Sequence, residues 1–141
     1  ENMNTIHTLY EVDFYAWLHK NIEYLQNKQI EKIDKENILK ELEDMASYLR
    51  HTLENQLKIL CVDVLKFEFI TPHDSVLKQN IYDQQLNLKK LLEKNPSLDN
   101  IAKQMFITCY RYAFHSLQND FPERVFVQDE ACSLKKILNW I

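Results

Sequence analysis

Asp63, Lys66 and Gln84 are the side chains of this sequence whose surroundings most demand chemistry. Asp63 stands among Leu60, Val62, Val64 and Phe67, Lys66 lies one helical turn further on, and Gln84 interrupts the apolar series Leu77, Ile81, Leu88 and Leu91. A charge or an amide on an apolar face must find a partner once it leaves water. Two arrangements meet that need. Asp63 and Lys66 can pair at i,i+3 while Gln84 bonds across a helical bundle and fixes its register. Alternatively, all three line a polar pocket between helices, where bundle proteins build their sites.

Other reactive groups have plainer readings. Glu41, Glu43 and Asp44 cluster, but Glu36 with Lys40, Lys40 with Asp44, Arg50 with Glu54 and Glu54 with Lys58 all fall at i,i+4, the pattern of a solvated helix face. The five histidines, His7, His19, His51, His73 and His115, lie in separate segments with no i,i+4 pair and no Glu-x-x-His, so neither a helical zinc site nor a ferritin-like di-metal site is written in the spacing. His51 or His115 could still approach the polar trio. Of the three cysteines, Cys61 and Cys109 sit on apolar faces, where a thiol serves as a small hydrophobe. Cys132 precedes a helix start, where the dipole favours thiolate, and is the candidate for reactivity, though an inert thiol is the favoured reading. No metal set and no cofactor follows from these residues.

The elements that must hold these groups are helices. The 141 residues contain no glycine, whereas average usage of ~7% would supply roughly ten. Hairpin turns, P-loops, dinucleotide fingerprints and nucleophile elbows are thereby excluded. Periodicity gives a first helix from near Asp13, with Phe14, Leu18, Ile22 and Leu25 on a stripe that Trp17 broadens. Asp34 then caps a long helix carrying Leu39, Leu42, Met45 or Ala46, Leu49, Leu53, Leu57, Leu60, Val64 and Phe67 as far as Ile70. At about 35 residues it would be about 54 Å long, so the molecule is expected to be elongated or the helix to bend.

Pro72 forces a reversal, and Asp74 or Ser75 can cap a third helix that ends at Asn95-Pro96. Ser97 then caps a fourth, apolar nearly all round: Leu98, Ile101, Met105, Cys109 and Tyr112 form one stripe, Phe106, Tyr110, Phe114 and Leu117 another. Val125-Phe126-Val127 reads as extended but unpaired, and Ser133 opens a short last helix. The expected fold is all-α: a single domain over 1–141, an elongated bundle of four main helices plus a short C-terminal one, with 1–8 and 119–132 irregular.

Charge and composition narrow the function. Twenty-one acidic against 17 basic side chains leave a net charge of −4 and no basic field to gather a nucleic-acid backbone. The nearly apolar run Ile59–Ile70 is broken by Asp63, Lys66 and Glu68 and is far short of the ~20 residues that span a bilayer. Nothing resembles a secretory signal, so a soluble cytoplasmic protein is expected.

Several local signatures, in order, resemble one known family. They are Asp13-Phe14-Tyr15-Ala16-Trp17, an acidic helix start at Asp34, Ile38, Glu41 and Glu43, then Leu65-Lys66-Phe67, Ile81 with Gln84, Asn95-Pro96-Ser97-Leu98, Phe121-Pro122, and the tail Ser133-Leu134-Lys135-Lys136-Ile137-Leu138. Over about residues 9 to 140 the chain is similar to the domain-of-unknown-function-29 family. It departs where Asp63 replaces a common histidine, Phe67 and Leu77 replace common tryptophans, and Ala131 replaces a usual proline. A role needing that imidazole would fall to Asp63 as acceptor or ligand. The resemblance implies an all-helical bacterial protein and brings no reaction with it.

Three functional readings follow. The first is a non-catalytic helical interaction module that binds a protein partner or itself, with Tyr10, Tyr15, Phe126 and Trp140 as anchors; Trp17 reads as core. The second is a metal-binding or hydrolytic enzyme with its pocket at Asp63, Lys66 and Gln84. The third, from charge alone, is an acidic antitoxin-like or regulatory partner of a basic protein or RNA-processing complex.

Overall fold

Aspartate and serine side chains set most of the helix starts. Asp13 Oδ1 accepts from Ala16 N at 3.0 Å, Asp34 Oδ1 from Asn37 N at 3.4 Å, Asp74 Oδ1 from Leu77 N at 3.0 Å and Ser133 Oγ from Lys136 N at 3.2 Å. Each satisfies an amide that the first turn leaves without a carbonyl. The computed structural model describes residues 2–140, with side chains described from Ile6 onward. The helices are α1 (Asn2–Val12), α2 (Phe14–Gln26), α3 (Lys35–Phe69), α4 (Ser75–Lys94), α5 (Leu98–Asp120) and α6 (Leu134–Leu138), with a 3-10 turn at Ile30–Lys32. The described residues contain no strand, and the fold is all-α.

Two local expectations need correction. The segment 1–8 was expected to be irregular, but from Asn2 it belongs to α1; Glu1 lies outside the described residues. Ser97 makes no side-chain cap: its backbone is already helical, at φ −66° and ψ −15°. The Asn95-Pro96 corner starts α5 instead, with Leu98 N donating to Asn95 O at 2.9 Å.

The missing glycine leaves a mark at the end of α2. Lys28 takes a left-handed φ of 58°, with Lys28 N donating to Leu25 O and Gln29 N to Tyr24 O. This is the Schellman arrangement that glycine normally closes, here closed by a lysine at some backbone cost.

Packing separates the chain into two compact units, Glu1–Tyr48 and Leu49–Ile141, with the boundary inside α3. In the second unit, Leu53, Leu57, Leu60, Cys61, Val64 and Leu65 of α3 are buried together with Ile81 and Leu88 of α4 and with Ala102, Phe106, Cys109, Ala113 and Leu117 of α5. The five-residue α6 packs on α4 and α5 through buried Leu134, Ile137 and Leu138. Gln85 Nε2 fixes it by donating to Ile137 O at 3.0 Å. Phe126 joins this core, its ring centroid 5.5 Å from Phe69 and 6.5 Å from Phe114. Nearby, Arg124 donates to Phe69 O at 2.9 Å, placing a cation at the C-terminal end of α3.

The first unit is built differently. Its buried hydrophobic residues among those described are Ile6 and Trp17, and beside them lie buried Asn21 and Asp34. Trp17 Nε1 donates to Asp34 Oδ2 at 2.9 Å, Asp34 N donates to Asn21 Oδ1 at 2.8 Å, and Asn21 Nδ2 donates back to Trp17 O at 2.8 Å. Asn37 Nδ2 adds a bond to Asp34 Oδ2 at 2.8 Å, and His7 Nδ1 stands 3.4 Å from Asp34 Oδ1. One carboxylate therefore ties α1, α2 and the start of α3 together.

Candidate functional site

In the second unit, the structure brings together two members of the polar trio. Gln84 Nε2 of α4 donates to Asp63 Oδ2 of α3 at 2.7 Å, while Gln84 Oε1 is buried without a hydrogen-bond partner. Lys66 is half-buried, and among the described residues it forms no ion pair with Asp63. The spacing argument missed Gln85, which is only 2% exposed and holds α6. Gln84 and Gln85 are neighbours, and periodicity does not say which one turns inward.

Asp63 also lines a cleft of about 460 Å³ with Asn55, Lys58, Ile59, Val62, Tyr112 and Ser116. Lys58 Nζ is held by Glu54 Oε1 at 3.0 Å and lies 4.8 Å from the Tyr112 ring centroid. The Glu54 hydrogen bond is the main cause of its raised pKa. The cation is thus already engaged from both sides. Neither His51 nor His115 lines this cleft, and both are exposed. Among the described residues, no three His, Cys, Asp or Glu side chains converge as metal donors. The cleft presents a carboxylate, an amide, two hydroxyls and the engaged Lys58 ammonium.

The thiols are not activated. Burial pushes the pKa of Cys61 and Cys109 up. Cys132, the expected reactive thiol, is also raised, first by burial and then by the Asp129 carboxylate. Lys136 and a backbone hydrogen bond at Ser133 pull the other way without reversing the shift.

In the first unit, the exposed surface is the notable feature. The stripe Phe14, Leu18, Ile22 and Leu25 on α2 remains 37–47% exposed, while Trp17 and Asn21 beside it turn inward. On α3, Leu39, Leu42 and Met45 are 57–63% exposed. Asn37 and Glu41 of the same helix meet His7 and Tyr10 of α1. At about 100° per residue, Leu39, Leu42 and Ala46 fall on a different face from Asn37 and Glu41.

Of the expected anchors, Tyr15 is 71% exposed. Tyr10 is half-buried, donating to Glu41 and packing edge-on to Trp17 with centroids 4.8 Å apart. Trp140 is half-buried against the second unit's core. Phe126 is only 7% exposed, so it fills that core and is not available as an anchor. Of the four i,i+4 ion pairs expected on α3, the structure forms Glu54–Lys58. Lys40 instead lies 5.6 Å from the Tyr10 ring centroid.

No curated protein and no solved structure matches this chain. No described helix is long and apolar enough to cross a membrane. A family profile described as Domain of unknown function DUF29 matches residues 9–141. The all-helical order of elements and the match over almost the whole length place this chain in the DUF29 family.

Proposed function

We propose that this protein is a non-catalytic helical interaction module whose docking surface lies on the first unit. One observation carries the reading: between Val12 and Tyr48, eleven large hydrophobic side chains are 37–77% exposed. Phe14, Leu18, Ile22 and Leu25 on α2 and Leu39, Leu42 and Met45 on α3 form two stripes, each leaving on the order of 300 Å² of side chain bare, within the range of the largest patch a monomer normally exposes. The occupant is a polypeptide, a second copy included. Tyr15 is the anchor best placed to serve it.

The test is capture of interacting proteins from the native cell with the wild-type chain and with Leu39→Glu/Leu42→Glu. Both positions are exposed, so the double variant keeps its helical circular dichroism. A stoichiometric polypeptide recovered with wild type and lost with the variant is expected; recovery of the same set with both would sink the reading.

A second reading, a metal-binding or hydrolytic site around Asp63, is supported by its carboxylate in the cleft and by the buried, unpartnered Gln84 Oε1 on the residue that bonds it, although Gln84 itself does not line the cleft. Elemental analysis of untagged protein, with and without Asp63→Ala, separates the two readings. Stoichiometric metal lost on substitution would favour the enzyme.

A further inference from the structure

The net charge is distributed unevenly between the units. Residues 1–48 hold ten carboxylates and five lysines, a net charge of −5, whereas residues 49–141 carry +1, with 12 basic and 11 acidic side chains. The unit with the bare apolar faces thus carries more than the chain's whole net negative charge of −4.

The local arrangement is sharper still. Glu36 and Glu43, seven residues apart and both exposed, fall at −3 and +4 from Leu39, so they border the Leu39, Leu42, Ala46 face as a row of like charge. Among the described residues, neither enters an ion pair. Lys40, the cation expected to neutralise Glu36, lies over the Tyr10 ring instead.

Resting on the interaction reading above, we infer that the occupant of the α3 face between Leu39 and Ala46 is a basic amphipathic helix of a partner protein. Its apolar stripe would cover Leu39, Leu42 and Met45, and its flanking lysines or arginines would meet Glu36 and Glu43. An amphipathic helix laid on such a face is read as anchors at i, i+3, i+4 and i+7. Charge decides against the second copy: two such units brought face to face set −5 against −5, and like charges across an interface suppress pairing.

The experiment titrates the full chain with two fluorescent synthetic helices of about 18 residues with the same leucine stripe, flanked by lysine in one and glutamate in the other. The lysine peptide should bind in the micromolar range, weaken at least several-fold between about 50 and 300 mM salt, and lose its binding to Leu39→Glu/Leu42→Glu. Glu36→Lys/Glu43→Lys should reverse the preference to the glutamate peptide. Circular dichroism of every variant confirms its fold.

Equal binding of both peptides, binding untouched by the leucine substitutions, or no binding of either peptide to a folded chain would overturn the inference. Sedimentation of the same samples provides the remaining arm. A dimer dissolved by Leu42→Glu would overturn the basic occupant in favour of a second copy, while leaving the interaction reading intact.

Discussion

The two units of this chain share helix α3 but treat its apolar stripe in opposite ways. From Leu53 to Leu65 the stripe is covered by α4 and α5, with Leu53, Leu57 and Leu60 at 0% exposure. Between Leu39 and Met45 the same i,i+3/i+4 pattern is more than half exposed. The second unit is organised by hydrophobic burial, the first around a buried carboxylate with Trp17, Asn21 and Asn37 arranged about it. A unit held by directional hydrogen bonds can keep a defined shape while leaving its leucines outside, and that combination suits a docking surface better than a core.

The largest expected effect tests this contrast on a single helix. Leu57→Ala should destabilise the protein by about 3 kcal/mol, since it opens a cavity in a closed core. Leu42→Ala should change stability by no more than about 0.5 kcal/mol, since the side chain is already in water. Urea denaturation of both variants measures the difference, and equal costs would break the comparison.

The second test targets the carboxylate hub. Asp34→Ala removes a cap and leaves Trp17 Nε1 and the Asn37 amide without an acceptor, for a cost of about 3 kcal/mol. Burial works to raise the Asp34 pKa, but the hydrogen bonds from Asn37 and Trp17 outweigh it and hold the group below its ordinary value. Because the folded pKa is depressed, the stability from Asp34 is present above the unfolded value near ~3.9 and is lost as pH falls through the folded one. Trp17 fluorescence, isolated by Trp140→Phe, should report acid unfolding of the first unit in that window, and Asp34→Asn should remove that dependence. Acid unfolding that runs identically in wild type and Asp34→Asn would contradict the hub.

Smaller effects are expected at the polar contact of the second unit. Asp63→Ala strands both polar atoms of Gln84 and should cost about 1–2 kcal/mol, whereas Asp63→Leu/Gln84→Leu should come back to within about 1 kcal/mol of wild type. Thermal unfolding distinguishes these outcomes; a double variant worse than either single variant would mean that the pair does more than satisfy itself. Smallest of all, Lys28→Gly should stabilise the first unit by about 0.5–1 kcal/mol by relieving the left-handed φ, despite the added freedom of the unfolded chain.

Much of the fold was legible in the residues because helix starts and stops have local causes. Asp13, Asp34, Asp74 and Ser133 cap where their short polar side chains predict, and Pro72 and Asn95-Pro96 separate the helices. The exceptions are positions decided by surroundings. Ser97 lost its cap to a turn built by its neighbours, and Lys40 left its expected carboxylates for an aromatic ring brought in by α1. Helical spacing identifies a stripe such as Phe14, Leu18, Ile22 and Leu25, but not whether another element covers it; on α2 the inward side belongs to Trp17 and Asn21. The Asp63–Gln84 contact was legible as a polar interruption on each of two helices. The burial of Gln85 was not, since its partner is the carbonyl of Ile137, 52 residues away. Asp34 was legible as a cap, but its role as a hub depends on side chains from α1 and α2 that no local pattern connects.

The most direct test replaces Leu42 in one chain and Ile107 in another with a photo-crosslinking phenylalanine analogue and irradiates each in the native cell. Both positions are 57% exposed, one in each unit, so chance encounters are matched. A discrete crosslinked polypeptide from position 42 and none from position 107 is the predicted result. The same products from both positions, or products from position 107 alone, would contradict a docking surface on the first unit.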